Sequence, residues 1–458
     1  MLKKILWISM AALIVLTGLT AAITTKVGAQ EPQDPALMAE LGKAIFFDPN
    51  LSVNGTQSCA TCHAPEVGFT GPDSAINASL AIYPGALEDR FGNRKPPSSA
   101  YAGYSPNFHY SDAAGEWVGG MFWDGRATGH VLGDPLAEQA GGPFLNPLEQ
   151  GMPGAKQVCL RVEKSGYAGL FEAVWGAGSL DCVKDVDGAY ERIERSIAAY
   201  ERSPEVNPYT SKFDLFWDAA LAAGKDVSRI KWSGGGMGGG GMGGGGSDPY
   251  RWQNFRGLGL TDEELRGLAA FNDPNRADCA SCHPLDPGPD GYPLLTNFGY
   301  DNLGIPKNPD NPFYQMPQKW NPDGAAWIDP GLGGYLASAG YPAEVYEPEL
   351  GKFKVPSLRN VDLRPAEDFV KAYGHNGYFK SLEEIVLFYA WRGMQDSGMG
   401  DMCGGMGGGG MGGGMGMCDV TFPEPEFGQN LAPMKHFGMM DQASIVAFLK
   451  TLSDGYIR

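Results

Sequence analysis

Two segments of this 458-residue chain share the spacing Cys-x-x-Cys-His: Cys59, Cys62 and His63, then Cys279, Cys282 and His283. Two thiols one short turn apart can add to the two vinyl groups of a haem. The adjacent His is then held beneath the iron as an axial ligand. A zinc site pooled from both pairs is the rival reading. It is weak, because the pairs lie more than 200 residues apart and each has its own His. The spacing predicts two covalently bound c-type haems, with His63 and His283 as iron ligands.

The elements that must hold these motifs repeat as well. The first motif follows an apolar segment, Leu41 to Phe47, and the breaker Asp48-Pro49-Asn50. The second follows Leu268 to Phe271 and Asp273-Pro274-Asn275. In each, helical periodicity ends in a turn before the cysteines. Thr261 with Glu264 is a capping box for the second of these helices. Helical spacing also runs through residues 189–200, 212–223, 382–390 (with Ser381 as N-cap) and 442–452. Strand signals are sparse, and much of the rest is rich in Pro, Gly and Asn. The expected fold is mainly α, two cytochrome c-like haem domains with long irregular loops. The expected boundaries are 30–232 and 248–458.

Acidic residues outnumber basic ones 53 to 35, for a formal charge of −18. That balance excludes nucleic acid as a partner and suits a basic protein partner. Lys3 and Lys4 precede an apolar run from Ile5 to Ile23, and Val27 and Ala29 offer a small-residue cleavage site. Residues 1–29 read as a signal peptide, an uncleaved anchor being the alternative. Cleavage would remove Lys3, Lys4 and Lys26. The expected location is the periplasm or cell surface, where cysteines pair. The simplest pairing of the remaining four is Cys159 with Cys182 and Cys403 with Cys418.

Glycine, at 67 residues, is about twice its usual share. The excess is concentrated in a linker at 233–247 and an insert at 398–417 in which Gly and Met alternate. These tracts read as surface loops. Thioethers also suit Cu(I), which makes copper binding by the second tract the sharper reading.

Two haems allow electron transfer alone, or chemistry at one iron that has an open position and a nearby acid–base group. The segments Met121 to Ala127, Glu138 to Pro143 and Asn146 to Met152 bear on this. Together with the two haem motifs they resemble the bacterial di-haem cytochrome c peroxidase and MauG family. So do Phe353 to Val361, Tyr373-Gly374-His375-Asn376-Gly377 and Leu382 to Tyr389. The resemblance spans nearly all of the chain after residue 29, apart from the Gly/Met tracts.

The resemblance implies roles at matching positions. His63 is the proximal ligand of a peroxide-reactive haem and His283 that of an electron-transfer haem. Trp123 relays electrons between them. Glu149 is the distal acid–base carboxylate, with Gln139 and Pro143 lining its pocket. Glu138 is the competing carboxylate, and the Asn-Pro-x-Glu context favours Glu149. The second haem's sixth ligand is Met in the peroxidases and Tyr in the MauG branch, fourteen residues after the motif His. Here that position is Tyr389, with Met394, Met434, Met439 and Met440 as competitors. Family peroxidases often cap the first haem with a His from a following loop, but residues 64–108 contain none. His109 and His130 are the nearest substitutes, better read as packed or surface groups. The family's calcium ion, between the two domains, would take an Asn ligand where Lys95 stands, which puts calcium in doubt.

The expected function is reduction of hydrogen peroxide with electrons from a small cytochrome c or cupredoxin docking near the C-terminal haem. Oxidative modification of a partner protein and plain di-haem electron transfer are the alternatives. The resemblance also implies a homodimer.

Overall fold

A computed structural model of the chain describes residues 34–232, 248–398 and 420–457. Residues 1–29, read above as a signal peptide, the Gly/Met tracts after residue 232 and after residue 398, and Cys403 and Cys418 lie outside these residues. Among the described residues no helix is long and apolar enough to cross a membrane.

The N-terminal half contributes α1 (Pro35–Phe46), α2 (Ser74–Ala78), α3 (Pro135–Leu145), α4 (Ala155–Glu163), α5 (Ala168–Trp175), α6 (Val186–Glu201) and α7 (Lys212–Ala222). The C-terminal half contributes α8 (Asp262–Asn272), α9 (Gly331–Ser338), α10 (Ala343–Tyr346), α11 (Leu382–Asp396) and α12 (Met439–Lys450). Two short antiparallel pairs are the strands of the described residues, and 3-10 turns and isolated bridges link the rest. β1 (His109–Ser111) pairs with β2 (Glu116–Val118), and β3 (Tyr300–Asp301) with β4 (Phe353–Lys354). The fold is mainly α with long irregular connections, as the sequence predicts.

Helix starts follow side-chain capping. Asp34 accepts from the N–H groups of Ala36 and Leu37, and Pro35 opens α1, so the helix starts six residues before Leu41, where the sequence reading begins its apolar segment. The Thr261–Glu264 capping box opens α8. Ser381 accepts from the N–H of Glu384 at 3.1 Å to start α11. Cys159 on α4 is disulfide-bonded to Cys182, which ties α4 to the loop before α6.

Each half is organised around one helix crossing, and the two crossings share a register. α1 packs on α6 and α8 packs on α12. Gly42 of α1 lies against the backbone carbonyl of Ser196, and Gly267 of α8 against that of Ser444. A Cβ at either glycine would overlap that oxygen, so only glycine permits the approach. Four residues further along all four helices, Phe46 meets Tyr200 with ring centroids 5.3 Å apart, and Phe271 meets Phe448 at 5.2 Å. The internal repeat thus extends from the haem motifs to the helices that support them.

Candidate active site

Each Cys-x-x-Cys-His segment is a single 3-10 turn that aims its His. The N–H of His63 donates to the carbonyl of Cys59 at 3.0 Å, and that of His283 to Cys279 at 2.9 Å. The imidazoles are fixed by the same device. Nδ1 of His63 lies 3.1 Å from the carbonyl of Phe69, and Nδ1 of His283 lies 2.7 Å from that of Leu295. A carbonyl only accepts, so Nδ1 carries the proton and Nε2 keeps its lone pair, as a metal ligand requires. Both accepting residues are non-glycine residues in the left-handed region, Phe69 at φ 57° and Leu295 at φ 54°. That conformation is costly for a side chain with a Cβ. Burial holds both imidazoles neutral, pushing His63 down to about 4 and His283 in the same direction. It also pushes the thiols of Cys62, Cys279 and Cys282 up to about 12. A redox Cys-x-x-Cys pair has a depressed thiol instead. Among the described residues no cluster of three or more His, Cys, Asp or Glu side chains could hold a bare metal ion.

His283, Cys279 and Cys282 open onto a large, mostly apolar cavity, and Tyr389, Trp123, His375 and Met434 share its wall. Two features fit it to a haem with its two carboxylates. His375 is 4% exposed, yet neither ring nitrogen has a hydrogen-bond partner, the carboxylate of Glu426 lying 3.6 Å from Nε2. Its ring stacks on Phe353, with centroids 3.5 Å apart. Lys354 is half-buried, with backbone carbonyls as the only hydrogen-bond partners of its ammonium, Gly119 at 2.9 Å and Phe298 at 3.4 Å. Burial without a carboxylate pushes it down to about 7. Orphaned donors and uncompensated positive charge are what an anionic prosthetic group would satisfy.

Tyr389 projects from α11 into this cavity. Burial, followed by the charges of Cys279 and Cys282, holds its phenol above the usual tyrosine range. Met434 lines the cavity as well, whereas Met439 and Met440 are exposed and Met394 is buried away from it.

Glu149, Gln139 and the first motif do not line this cavity. Glu149 is half-buried, and Nδ2 of Asn146 donates to it at 2.7 Å. Burial raises its pKa against the opposing pull of Arg126 and the Asn146 bond. Its charge is felt at Cys62, which places it beside the first motif. Glu138 is occupied elsewhere. Its carboxylate accepts the N–H groups of Gly129, Val131 and Leu132 at 2.7–2.9 Å and so anchors that loop. Gln139, on α3, is half-buried with no side-chain hydrogen bond, and Pro143 lies within the same helix. His109 and His130 are exposed, each with a ring nitrogen 2.8 Å from a backbone carbonyl.

Trp123 sits where the two halves meet. Its indole N–H donates to the carbonyl of Lys95 at 2.8 Å, and its own carbonyl accepts from Lys354 at 2.9 Å. Arg94 holds the neighbouring backbone. It bonds Asp329 at 2.6 and 2.7 Å and Asp124 at 2.6 Å. The loop carrying Trp123 also has a counterpart in the other half. Met121 bridges to Ala127 as Tyr373 bridges to Phe379, with Gly125 and Gly377 both at positive φ. Trp123-Asp124-Gly125 therefore matches His375-Asn376-Gly377. Both segments stand out in the sequence, but their equivalence does not, and neither does Lys354. The shared Asx-Gly pair was the available signal.

A mostly helical fold with two haem-attachment turns, each supported by its own helix crossing, defines a di-haem c-type oxidoreductase. A sequence profile described as di-haem cytochrome c peroxidase matches residues 36–220. The chain is 33% identical to the methylamine utilization protein MauG of Paracoccus denitrificans, over 92% of its own length and 90% of that protein. It is 26% identical to cytochrome c551 peroxidase of Nitrosomonas europaea, over 84% of each chain. The crystal structure of the diheme peroxidase BthA from Burkholderia thailandensis superposes with a TM-score of 0.64 at 26% identity, covering 93% of this chain and 92% of that one. The chain belongs to the di-haem cytochrome c peroxidase and MauG family, and it is an enzyme of that class.

Proposed function

We propose that this enzyme reduces hydrogen peroxide to water in the periplasm, with electrons from a small cytochrome c or cupredoxin. Cys59, Cys62 and His63 hold the haem that meets peroxide. Cys279, Cys282 and His283 would hold the haem that receives electrons, and Tyr389, on the wall of the same cavity, would offer that iron a second ligand. The haems, when bound, supply the iron that binds peroxide and the store of electrons that reduces it.

The observation that carries this reading is Glu149. A half-buried carboxyl with one polar partner and a raised pKa, beside the first motif, is equipped to take a proton and give it back. Each turnover consumes one peroxide, two protons and two electrons and yields two waters. Glu149 would take a proton from the peroxide and return it to the departing oxygen. Asn146 orients the carboxyl. Gln139 and Pro143 form the wall opposite. Trp123, between the two sites, passes electrons across.

Tyr389 supports a second reading, oxidation of a partner protein as in the MauG branch. An anionic oxygen ligand favours oxidised iron over reduced. The protein would then act as an oxidant towards a docked substrate rather than as an acceptor of electrons from a donor.

Titration of the fully oxidised holoprotein with peroxide, followed by haem absorption and then by turnover with reduced cytochrome c, tests both. A rapid stoichiometric change with turnover supports the peroxidase. The same change without turnover supports the second reading. No change in either oxidation state rejects both and leaves an electron carrier.

A further inference from the structure

We propose that Lys371 supplies the structural cation between the two haem-binding halves, with Lys95 beside it, and that this enzyme works there without calcium. The ammonium of Lys371 is buried, with 5% of the residue exposed. It donates to the carbonyls of Val67 at 2.9 Å, Asn360 at 2.9 Å and Leu363 at 3.0 Å. Three N–H groups meet three oxygens, so the group is saturated.

Its partners come from both sides of the seam. Val67 lies in the loop that follows His63 and leads to Phe69, whose carbonyl fixes that imidazole. Asn360 lies in the segment whose Leu358 and Asn360 wall the cavity of His283. The two strands of chain are pressed together at this point: a Cβ on Gly68 would stand 2.7 Å from Cβ of Asn360. Lys371 is therefore a positioning residue, tying the support of one haem ligand to the wall of the other haem's cavity.

Calcium takes six to eight oxygens and is normally offered carboxylates. The carbonyls here are already taken by an ammonium. The charges felt at Lys371 are Lys95, Asp362 and Arg364, and Asp362 is engaged by Arg364. Lys95 adds a second ammonium in the same seam, bonded to the carbonyl of Pro96 at 3.0 Å and near Oγ1 of Thr70 at 3.4 Å. It stands where the family resemblance places an Asn ligand. Burial pushes Lys371 down to about 7 and Lys95 down to about 8, against the carbonyl oxygens that hold each protonated; protonated, the two lysines bring the charge of one divalent ion and repel another. The residues present do not fit calcium.

Two measurements on the holoprotein test this, and neither depends on which oxidation the enzyme performs. The first is calcium content by mass spectrometry before and after chelation with EGTA, with melting temperature and both haem midpoint potentials recorded. We expect far less than one calcium per chain and no change on chelation. The second is Lys371→Met, which keeps the length of the side chain and removes its charge. We expect a lower melting temperature and a downward move of both potentials, because a positive charge between the haems favours the reduced state of each. A tightly held calcium whose removal shifts the potentials would overturn the proposal. So would a Lys371→Met protein with both potentials and its melting temperature unchanged. If that variant fails to mature, the chelation experiment on the natural protein decides alone.

Discussion

The indole N–H of Trp123 donates to the carbonyl of Lys95, and the N–H of Lys95 donates in turn to the carbonyl of His375, at 2.8 and 2.9 Å. One residue thus joins the Trp123 loop to its counterpart in the other half. Trp123→Phe keeps an apolar ring there but removes both the hydrogen bond and the more oxidisable indole. Turnover with reduced cytochrome c should fall at least about tenfold, while the first reaction with peroxide stays within about twofold. Stopped-flow absorption separates the two steps. Unchanged turnover would mean that electrons cross by another route.

The two carboxylates of the Glu138–Glu149 region should separate by the kind of damage they cause. Glu149→Gln removes a proton carrier and should slow the peroxide reaction by about 10²–10⁴-fold. Its raised pKa places the acid limb of the pH–rate profile above the ordinary carboxylate value, and that limb should vanish in the variant. Glu138→Gln instead weakens an anchor for three backbone N–H groups. A loss of about 1–3 kcal/mol in stability with near-normal chemistry is expected there. Chemical denaturation and single-turnover kinetics on both variants give the answer. A stable but inactive Glu138→Gln protein would reverse the assignment.

These contrasts show which parts of the molecule the sequence made legible. The haem turns, the Thr261–Glu264 capping box and the Ser381 start of α11 are local, and each was readable from a few adjacent residues. α3 was not, because Gly141, Gly142 and Pro143 give it poor intrinsic propensity and its packing on α6 holds it helical. Glu138 and Glu149 could be told apart only by analogy until their partners were seen. Nothing local marks Lys371 as a bridging cation, since its partners are backbone carbonyls up to 304 positions away.

The helix crossings make a prediction that treats the two halves alike. Gly42→Ala and Gly267→Ala each place a methyl group against a carbonyl of the partner helix, at Ser196 and Ser444. The helices must separate, and each variant should lose about 1–3 kcal/mol, the usual cost of overpacking. The damage should also be local. Gly42→Ala should disturb the absorption of the haem at His63 first, and Gly267→Ala that of the haem at His283. Thermal melts followed at haem bands would show this, and equal disturbance of both haems by either change would argue against two separate supports.

Glu201, the last residue of α6, predicts an alkaline weakness. It is 3% exposed, and Oε2 has no hydrogen-bond partner. Burial pushes its pKa up from 4.5 to about 8. The native state therefore binds this proton more tightly than the unfolded chain does. Between pH 4.5 and about 8 it holds more protons than the unfolded state, so stability falls as pH rises through that window. Glu201→Gln presents a neutral group of the same shape at every pH. The variant should match the natural protein near pH 5 and exceed it above pH 8, by on the order of 1–3 kcal/mol once relaxation is allowed for. Urea unfolding at a series of pH values measures the difference. A gap that does not widen with pH would show that Glu201 ionises freely in the folded protein and that a cation or water compensates it.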